Sequence, residues 1–249
     1  MQRYFIEESL TIGQQVILDA EITHHVYDVM RGKTGEHILL VDTKQQVYLA
    51  SLAAKEGAFG MAIIESEIEH QSEFPLSEVA IACGLSKNDK LEWIVQKATE
   101  CGMTQFYPLT LKRDVMKWPG EKATKRTMRL QKIAQEAAEQ SHRVQIPTIN
   151  ELSSLKQLIN LADDYTIKLI AYEETAKSGQ HAQLKEALIH LKASDRLLMV
   201  FGSEGGLTPE EVSQLEEAGF ICCSLGPRIL RAETAPVYFL SALSYQLEF

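Results

Sequence analysis

The chain is poor in cysteine and histidine, and neither residue is spaced for a metal site or a disulfide framework. It has four cysteines and seven histidines in 249 residues. No two cysteines have C-x-x-C spacing, and the adjacent Cys222 and Cys223 point to opposite faces if they lie on a strand. The adjacent histidines His24 and His25 point apart on a helix. We therefore expect reduced core thiols and no metal.

Long apolar runs and common nucleotide-binding motifs are also missing. No apolar run reaches the ~18 residues needed to span a bilayer, and the first residues contain no signal-peptide core. We therefore expect a cytoplasmic protein with no membrane partner. The sequence has neither the G-x-G-x-x-G fingerprint at a first strand-to-helix turn nor G-x-x-x-x-G-K-[ST]. A Rossmann dinucleotide site and a P-loop are therefore excluded at the level of motifs.

Basic residues are outnumbered overall but are concentrated in one segment. The formal net charge is −9, which by itself argues against a nucleic-acid partner. Residues 110–132, however, hold eight basic and two acidic side chains, a local charge of +6, whereas residues 1–72 hold five basic and eleven acidic ones. An acidic protein with one basic segment can still bind phosphates through it. A solvated helix face is the alternative, and the charge pattern alone leaves both interpretations open.

Residues 1–72 have the pattern of a small β-rich domain. Short runs rich in β-branched and aromatic residues alternate with turn residues, which indicates a small barrel. The predicted strands are 4–6, 15–18, 38–42, 46–50 and 60–65. One helix is predicted over 20–31, with Thr23 as its N-cap and Val26, Val29 and Met30 facing inward. The polar segment 69–75 is the predicted linker.

The chain from residue 79 onward alternates between apolar runs and amphipathic segments. The predicted strands are 79–85, 106–109, 166–172, 197–201 and 220–225. The predicted helices are 89–101, 122–141, 152–161, 181–191, 209–218 and 235–245. In the first of these helices Leu91, Ile94, Val95 and Ala98 share one face, and Gly102 ends the helix. This alternation predicts an α/β fold with a parallel sheet covered on both faces.

Two glycine-containing stretches follow apolar runs near the C-terminus. The first is Gly202-Ser203-Glu204-Gly205-Gly206, and the second covers residues 225–235. Ligands of open α/β sheets bind outside the carboxyl ends of the strands, so the two stretches predict one ligand pocket. For the first stretch, a plain turn before a helix capped by Thr208 is the alternative. That alternative leaves three glycines around a glutamate unexplained, whereas close approach of the backbone to a ligand would explain them. In the second stretch a simple salt bridge between Arg231 and Glu233 stays open.

Four segments, taken in order, resemble the RsmE family of 16S ribosomal RNA (uridine-N3) methyltransferases, which belongs to the SPOUT class. They are residues 87–102, 136–143, 202–206 and 225–235, and the similarity covers nearly the whole chain. The resemblance implies a PUA-like, RNA-binding β-barrel at 1–72 and a SPOUT methyltransferase domain at 73–249 with a C-terminal trefoil knot. It also implies a homodimer that uses S-adenosylmethionine (SAM) to methylate N3 of a uridine in 16S ribosomal RNA of the small ribosomal subunit.

The resemblance further implies roles for individual residues. The cofactor-binding residues would be Phe201, Gly202, Glu204, Gly205, Leu225, Gly226, Ile229, Leu230, Arg231 and Thr234, the last of which would start the final helix. The RNA-binding residues would be Arg3, His25, Arg31, Lys87, Arg113, Lys125, Arg126, Arg129 and Arg143. Uridine N3 must lose a proton, so a general base is needed. The catalytic candidates are Glu204, Arg113 and Glu139, and the sequence does not say which of them acts.

Two positions depart from the family pattern, and two other functions stay open. Ser203 stands where the family often has proline. Asp114 follows Arg113 where serine is more usual, which bears on the local RNA contact. A SPOUT enzyme acting on a ribose 2′-hydroxyl or on transfer RNA is one alternative. A non-catalytic RNA-binding assembly factor is the other, and the presence of both glycine stretches argues against it.

Overall fold

The protein, described by a computed structural model, divides into two compact units. The structure describes residues 1–55, 57, 59–70, 76, 78–172 and 182–249. Unit 1 consists of Met1–Ser72 and Ala138–Gln145, and unit 2 consists of Glu73–Ala137 and Ile146–Phe249. The segment Ala138–Gln145, which the sequence analysis counted with the second domain, therefore packs with the first unit. Residues 71–75 of the predicted linker, and the predicted helix start at His181, lie outside the described residues.

Unit 1 is built on a curled sheet. Its described strands are β1 (Arg3–Phe5), β2 (Gln15–Leu18), β3 (His37–Val41), β4 (Val47–Leu52) and β5 (Gly60–Ile68). Their order is β1-β3-β4-β5-β2, with β1 parallel to β3 and the other neighbours antiparallel. The alternating pattern of β2 buries Val16 and Leu18 and leaves Ile17 exposed, as expected for a sheet with one face on a core. All five predicted strands are present within three residues of their predicted ends.

The helix predicted over 20–31 is wrong in its cap and in two of the three residues predicted to face inward. Helix α1 covers only Ala20–Thr23, and the Asp19 side chain, not that of Thr23, caps it by accepting from Ile22 N–H. A π-helix over His24–Val29 follows. Its wider turn departs from the 3.6-residue period that the prediction assumed, so Val26 is buried whereas Val29 and Met30 are exposed. Thr23 is buried instead, and its hydroxyl donates to Leu18 O and accepts from Gly60 N–H.

Unit 2 contains a parallel sheet. Its described strands are β6 (Glu78–Gly84), β7 (Gln105–Thr110), β8 (Thr148–Ile149), β9 (Ser153–Ser154), β10 (Ile167–Ala171), β11 (Arg196–Phe201) and β12 (Ile221–Cys223). Their order is β12-β10-β11-β6-β7-β8, with β9 also paired to β7, and every pairing is parallel. All residues of β6 after Glu78 and of β11 after Arg196 are buried, which is why these strands have continuous apolar runs.

Helices cover both faces of this sheet. They are α2 (Lys90–Glu100), α3 (Glu121–Gln140), α4 (Leu155–Leu161), α5 (Ala182–Ile189), α6 (Pro209–Glu217) and α7 (Thr234–Glu248). One core cluster joins the sheet to α2, α3, α5 and α7, and a second cluster joins its other face to α4 and α6. The prediction of an α/β fold with a covered parallel sheet is therefore confirmed, and so is the buried face of α2.

Local capping signals fix where two of these helices begin. Thr208 and Glu211 form a capping box at the start of α6, and Pro209 occupies its first turn, as the sequence predicts. Helix α4 begins at Leu155, three residues later than predicted, because Ser154 forms a capping box with Gln157. The residue before the cap, Ser153, pairs with β7 through β9.

The described residues contain no membrane-spanning helix, no metal-ligand cluster and no disulfide. In the described residues no helix has both the length and the apolar character needed to cross a membrane. Within the same ranges, no group of three or more His, Cys, Asp and Glu side chains could hold a metal ion. All four cysteines are free thiols. Cys83 and Cys223 belong to the core of unit 2, and burial raises the pKa of Cys223 to about 12.

Candidate active site

A pocket of about 690 Å³ is lined by residues at the carboxyl ends of β10, β11 and β12. These strands are parallel, so their carboxyl ends meet at one edge of the sheet and the loops that follow them form the walls. Residues 201–207 form the wall after β11, residues 224–232 form the wall after β12, and Tyr172 lies at the end of β10. Lys90 and Arg113 reach the pocket from the segments that follow β6 and β7. The two glycine stretches therefore line the same pocket.

The glycines after β11 fold this loop tightly against other protein atoms. A Cβ added to Gly202 would lie 2.8 Å from the Cα of Gly206, and one added to Gly205 would lie 2.8 Å from the Cβ and carbonyl oxygen of Arg113. Gly206 has a φ of +68°, which side chains rarely adopt. The close approaches at Gly202 and Gly205 are therefore made to the protein itself. From the sequence, a ligand is the predicted partner of these glycines.

The loop after β12 contains Gly226 near its start, and this glycine has open space around it, unlike Gly202 and Gly205. Gly226 has a φ of +114°, and the nearest atom to an added Cβ would be the Tyr238 hydroxyl at 4.0 Å. The Ser224 hydroxyl donates to Gly226 O at 3.0 Å and accepts from Gly226 N–H at 3.1 Å. This local turn sends the chain along the pocket, where Ile229 is exposed. An exposed isoleucine on a pocket wall is available for contact with a ligand.

Lys90 joins the two loops through an ion-pair cluster. Its Nζ lies 3.1 Å from Glu204 Oε1 and 3.2 Å from Glu233 Oε2. Glu204 also accepts from the backbone N–H of Lys87 at 3.1 Å. Burial acts to raise the pKa of Glu204, but its own backbone N–H, Lys90 and the Lys87 N–H together lower that pKa below its ordinary value. Glu204 is therefore a carboxylate at neutral pH. Glu233 forms an ion pair with Lys90. The salt bridge that the sequence left open for Glu233 was one with Arg231.

Arg113 lies between two residues, Lys112 and Asp114, that hydrogen bonds hold in place. Its Nη1 donates to Gly205 O at 3.3 Å and to Leu207 O at 3.1 Å. The preceding N–H, of Lys112, donates to the buried Glu211 at 2.7 Å. On the other side the Asp114 carboxylate accepts from Leu111 N–H at 2.8 Å and from Leu85 N–H at 3.2 Å. Burial raises the pKa of Asp114. This aspartate, which the sequence analysis related to RNA contact, thus holds neighbouring loops together.

The pocket collects most of the residues that the family resemblance assigned to the cofactor. The lining includes Phe201, Gly202, Glu204, Gly205, Leu225, Gly226, Ile229, Leu230 and Arg231. Thr234 is not part of the lining. It begins α7, as predicted, and its N–H donates to Arg231 O at 2.9 Å.

The pocket is also lined by four residues that the sequence does not predict to bind the cofactor, namely Lys90, Tyr172, Ser224 and Arg228. The position of Lys90 in the sequence does carry a signal of such a contact. A cation in the first turn of a helix faces the positive end of the helix dipole, so a lysine at the first position of α2 needs a partner from elsewhere. Tyr172 and Ser224 carry no such signal, because only the sheet order brings the ends of β10 and β12 together.

The basic segment and Lys87 surround a second cavity, of about 270 Å³, in unit 2. Lys87 and Arg126 lie on its wall together with Leu91 and Glu92 of α2. Arg126 and Arg129 both pair with Glu92, at 3.3 Å and 2.7 Å. Lys125 is exposed on α3. Lys87 and Arg126 therefore lie at one cavity. Arg126 and Arg129, two of the predicted phosphate-binding residues, form ion pairs with Glu92.

The remaining predicted RNA contacts belong to unit 1. Arg3 and Arg143 are buried, and the Arg3 guanidinium donates to the carbonyl oxygens of His142 and Arg143. His25 Nδ1 and the Tyr4 hydroxyl share a hydrogen bond of 2.8 Å. Arg31 is exposed and has a φ of 57°. Arg31 is thus the most accessible of these three arginines, whereas Arg3 and Arg143 are buried within unit 1.

Glu139, a predicted catalytic residue, is also grouped with unit 1. Burial and the negative charge of Glu139 raise the pKa of Tyr4 to about 12. Glu139 is not among the residues that line the 690 Å³ pocket. Of the three catalytic candidates, Glu204 and Arg113 line the pocket of unit 2, and Glu139 belongs to unit 1.

Comparisons with known proteins agree on one family. The model of an RNA methyltransferase domain matches residues 72–244. Ribosomal RNA small subunit methyltransferase E of Bacillus subtilis is 41% identical over 252 residues, which cover 100% of this chain and 98% of that protein. Two solved structures are also similar over nearly their whole length.

The first is a ribosomal RNA small subunit methyltransferase E from Neisseria gonorrhoeae bound to SAM. It has a TM-score of 0.86 and 32% identity, and the match covers 98% of this chain and 97% of that one. The second is a putative methyltransferase from Legionella pneumophila in complex with SAM. It has a TM-score of 0.85 and 29% identity, with 98% and 96% coverage. The chain described here belongs to the ribosomal RNA small subunit methyltransferase E family.

Proposed function

We propose that this protein transfers the methyl group of SAM to N3 of a uridine in 16S ribosomal RNA of the small ribosomal subunit. One observation carries the proposal. The two glycine stretches line a single pocket inside the region that the RNA methyltransferase model matches. Relatives with 41% and 32% identity are named as small-subunit ribosomal RNA methyltransferases, and the second of these holds SAM in its structure.

The pocket is suited to this cofactor. Its volume of about 690 Å³ lies within the ~300–1,000 Å³ typical of ligand sites. The open space at Gly226 exposes backbone groups of the loop after β12, and a side chain at that position would reduce it. The ionised Glu204 is paired with Lys90, so its charge holds the wall of the pocket in place. When bound, SAM supplies a methyl group that its positive sulfur has already activated.

The pocket also limits which residue can remove the proton from N3. Glu204 has a lowered pKa because Lys90 and two backbone N–H groups outweigh its burial, so it is a weak base. Glu139 does not line the pocket. Arginine remains protonated in proteins and cannot act as a base. We therefore assign Arg113 an electrostatic role, in which its guanidinium stabilises the negative charge that uracil acquires as N3 loses its proton to water.

The finer architecture belongs to the same proposal. For unit 1 we propose a PUA-like barrel that binds RNA, which is supported by five short strands around one core cluster. For unit 2 we propose a SPOUT domain with a trefoil knot. The order β12-β10-β11 supports the knot, because the chain leaving β11 must pass the end of β10 to reach β12.

A homodimer is proposed as the active form. Large exposed apolar side chains on a helix surface often mark an interface. Tyr238 and Tyr245 of α7 and the C-terminal Phe249 are exposed. These aromatic residues support association through the last helix.

RNA is proposed to contact the basic face of α3. The Lys125→Glu variant should weaken binding to a 16S RNA fragment and flatten the dependence of log K on log salt by about 1.4 units, because two unit charges change where phosphates would lie. Arg126 and Arg129 hold Glu92, so reversing them would also disturb α2, and Lys125 gives the cleaner test. Binding would be measured at several salt concentrations. The Lys185→Glu variant, with the same charge change on exposed α5, serves as the control, and an identical slope in both variants contradicts the proposal.

The methylation proposal itself is tested with labelled SAM. Small ribosomal subunits purified from cells that lack this enzyme are incubated with the protein, and the RNA is digested to nucleosides. The expected result is label in 3-methyluridine. Label in a 2′-O-methyl nucleoside, or only in transfer RNA added in parallel, would instead identify another kind of RNA methyltransferase. Absence of label from both RNAs would indicate a non-catalytic RNA-binding protein.

A further inference from the structure

Three charged side chains from distant parts of the sequence meet at one wall of the pocket. Lys90 begins α2, Glu204 lies in the loop after β11, and Glu233 precedes α7. The side chains of these residues are 30%, 29% and 20% exposed, respectively. Both carboxylates are within ion-pairing distance of the same Nζ atom. A cluster with this partial burial is less screened by solvent than an ordinary surface pair.

We propose that Lys90 is a positioning residue of the cofactor pocket, which holds the loop after β11 and the loop after β12 in the arrangement that binds SAM. The inference rests on the function proposed above, because it takes SAM as the ligand of this pocket. It adds a residue that acts through its neighbours, since Lys90 fixes Glu204 and Glu233 and thereby the two walls.

The charges explain why a lysine is needed at this point. Glu204 and Glu233 carry two negative charges beside each other, and removal of Lys90 would leave them to repel. The loop after β11 would keep its hydrogen bond from Lys87 N–H to Glu204. The loop after β12 would lose its ion pair to α2. The second wall is therefore the part of the pocket that we expect to move.

The helix itself gains nothing from a cation at this position. The first turn of a helix favours acidic side chains, because unpaired N–H groups give it a partial positive charge. Lys90 is in that first turn. Its favourable interactions are those with the two carboxylates, which both act to raise the pKa of Lys90.

The test measures SAM binding by calorimetry on the full-length protein without RNA. The Lys90→Met variant keeps a good helix former of similar length but removes the charge. We expect its Kd for SAM to rise about tenfold. This loss of affinity lies between those expected for removing one partner of an exposed ion pair and of a buried one. The Lys90→Arg variant keeps the charge and can reach both carboxylates, so its Kd should stay within about threefold of the wild type. Lys97→Met makes the same change further along α2, where Lys97 pairs with Glu100 at 2.8 Å, and should leave the Kd unchanged.

Kinetics separate positioning from a direct part in the chemistry. In Lys90→Met the KM for SAM should rise about tenfold while kcat at saturating SAM stays within about threefold. A lowered kcat with an unchanged KM would overturn the positioning role. If Lys90→Met does not fold, the Glu233→Gln variant removes one of the two ion pairs of Lys90 and should raise the Kd for SAM by a smaller factor. An unchanged Kd in Glu233→Gln would also overturn the inference.

The two proposals can fail separately. A wild-type protein that does not bind SAM contradicts the proposed function. A wild type that binds SAM, together with a Lys90→Met variant that binds it equally well, contradicts only the role of Lys90. Equal losses in Lys90→Met and Lys97→Met would also overturn that role, because they would point to a general effect of charge on the helix.

Discussion

Replacing Gly205 with alanine or valine is expected to reduce SAM-dependent methylation about 100-fold, since displacement of positioning groups by ~1 Å can cost that much. The added Cβ would lie 2.8 Å from the Cβ and the carbonyl oxygen of Arg113. A carbonyl oxygen cannot swing aside as the end of a flexible side chain can. The loop after β11 must therefore move away from Arg113, which disturbs the wall that carries Glu204.

The segment that carries Arg113 cannot easily yield to the new side chain. Its backbone is held by Glu211 through Lys112 N–H. The Asp114 carboxylate holds the next turn through Leu111 N–H and Leu85 N–H. The strain therefore falls on residues 202–207, whose contacts with Arg113 and Lys90 run through the flexible side chains of those two residues. We expect a stability loss of about 1–3 kcal/mol from overpacking, which is small enough for the protein to remain folded.

Binding and folding are measured separately for this variant. SAM affinity would be obtained by calorimetry, and folding by thermal denaturation followed by circular dichroism. Gly120→Val is the control, because Gly120 has a φ of +49° but open space around an added Cβ. The control should lose some stability through backbone strain and keep its affinity for SAM. A Gly205→Val variant with wild-type affinity would contradict the assignment of this loop to the pocket.

The sequence predicts the elements of unit 2 well because their signals are local. A continuous apolar run such as 197–201 indicates a strand buried on both faces, and β11 lies there. Thr208 followed by Pro209 marks a helix start, and α6 begins there. Gly102, with a φ of +90°, follows the C-cap of α2 at Cys101, where the sequence predicts the helix to end. Each of these signals depends on a few neighbouring residues.

The sheet order and the contacts made at the pocket could not be predicted in this way. Nothing near Tyr172 indicates that β10 lies between β11 and β12, which is what brings this residue to the pocket. The partners of Glu204 are Lys87 and Lys90, more than a hundred positions away in the chain. Periodicity cannot report such distant pairs. The strand ends predict one ligand pocket for the two glycine stretches, and the family resemblance adds that its ligand is a cofactor.

Residue type alone was also a poor guide to residue role. The glycines at 202 and 205 suggested contact with a ligand, but their close neighbours are Gly206 and Arg113. Thr23 has the chemistry of an N-cap, yet it is buried and bonds to Leu18 O and Gly60 N–H. For Thr23 the tertiary structure decides between the two explanations. For the glycines it adds close packing against the protein to the predicted contact with a ligand.

Replacing Glu211 with alanine is expected to destabilise the protein by about 3 kcal/mol, because the buried N–H of Thr208 and the partly buried N–H of Lys112 would each lose a charged acceptor. Glu211 is only 3% exposed. Its carboxylate accepts from Thr208 N–H at 2.8 Å and from Lys112 N–H at 2.7 Å. Water cannot readily replace these bonds at a buried site. The same change frees the segment that carries Arg113, so we also expect weaker SAM binding.

Two further variants at this helix start test the explanation. Glu211→Gln keeps one acceptor oxygen, and we expect it to lose about half as much stability, or ~1–2 kcal/mol. Glu210→Ala changes the neighbouring glutamate, whose side chain is 66% exposed and lies 3.8 Å from Lys112 Nζ, and should leave stability and SAM affinity nearly unchanged. Denaturant unfolding of the three variants gives the comparison. If Glu211→Ala were as stable as Glu210→Ala, the buried carboxylate would not be what joins α6 to the Arg113 segment. Loss of stability together with SAM affinity, graded from glutamine to alanine, would show that one side chain supports both the helix start and the pocket wall.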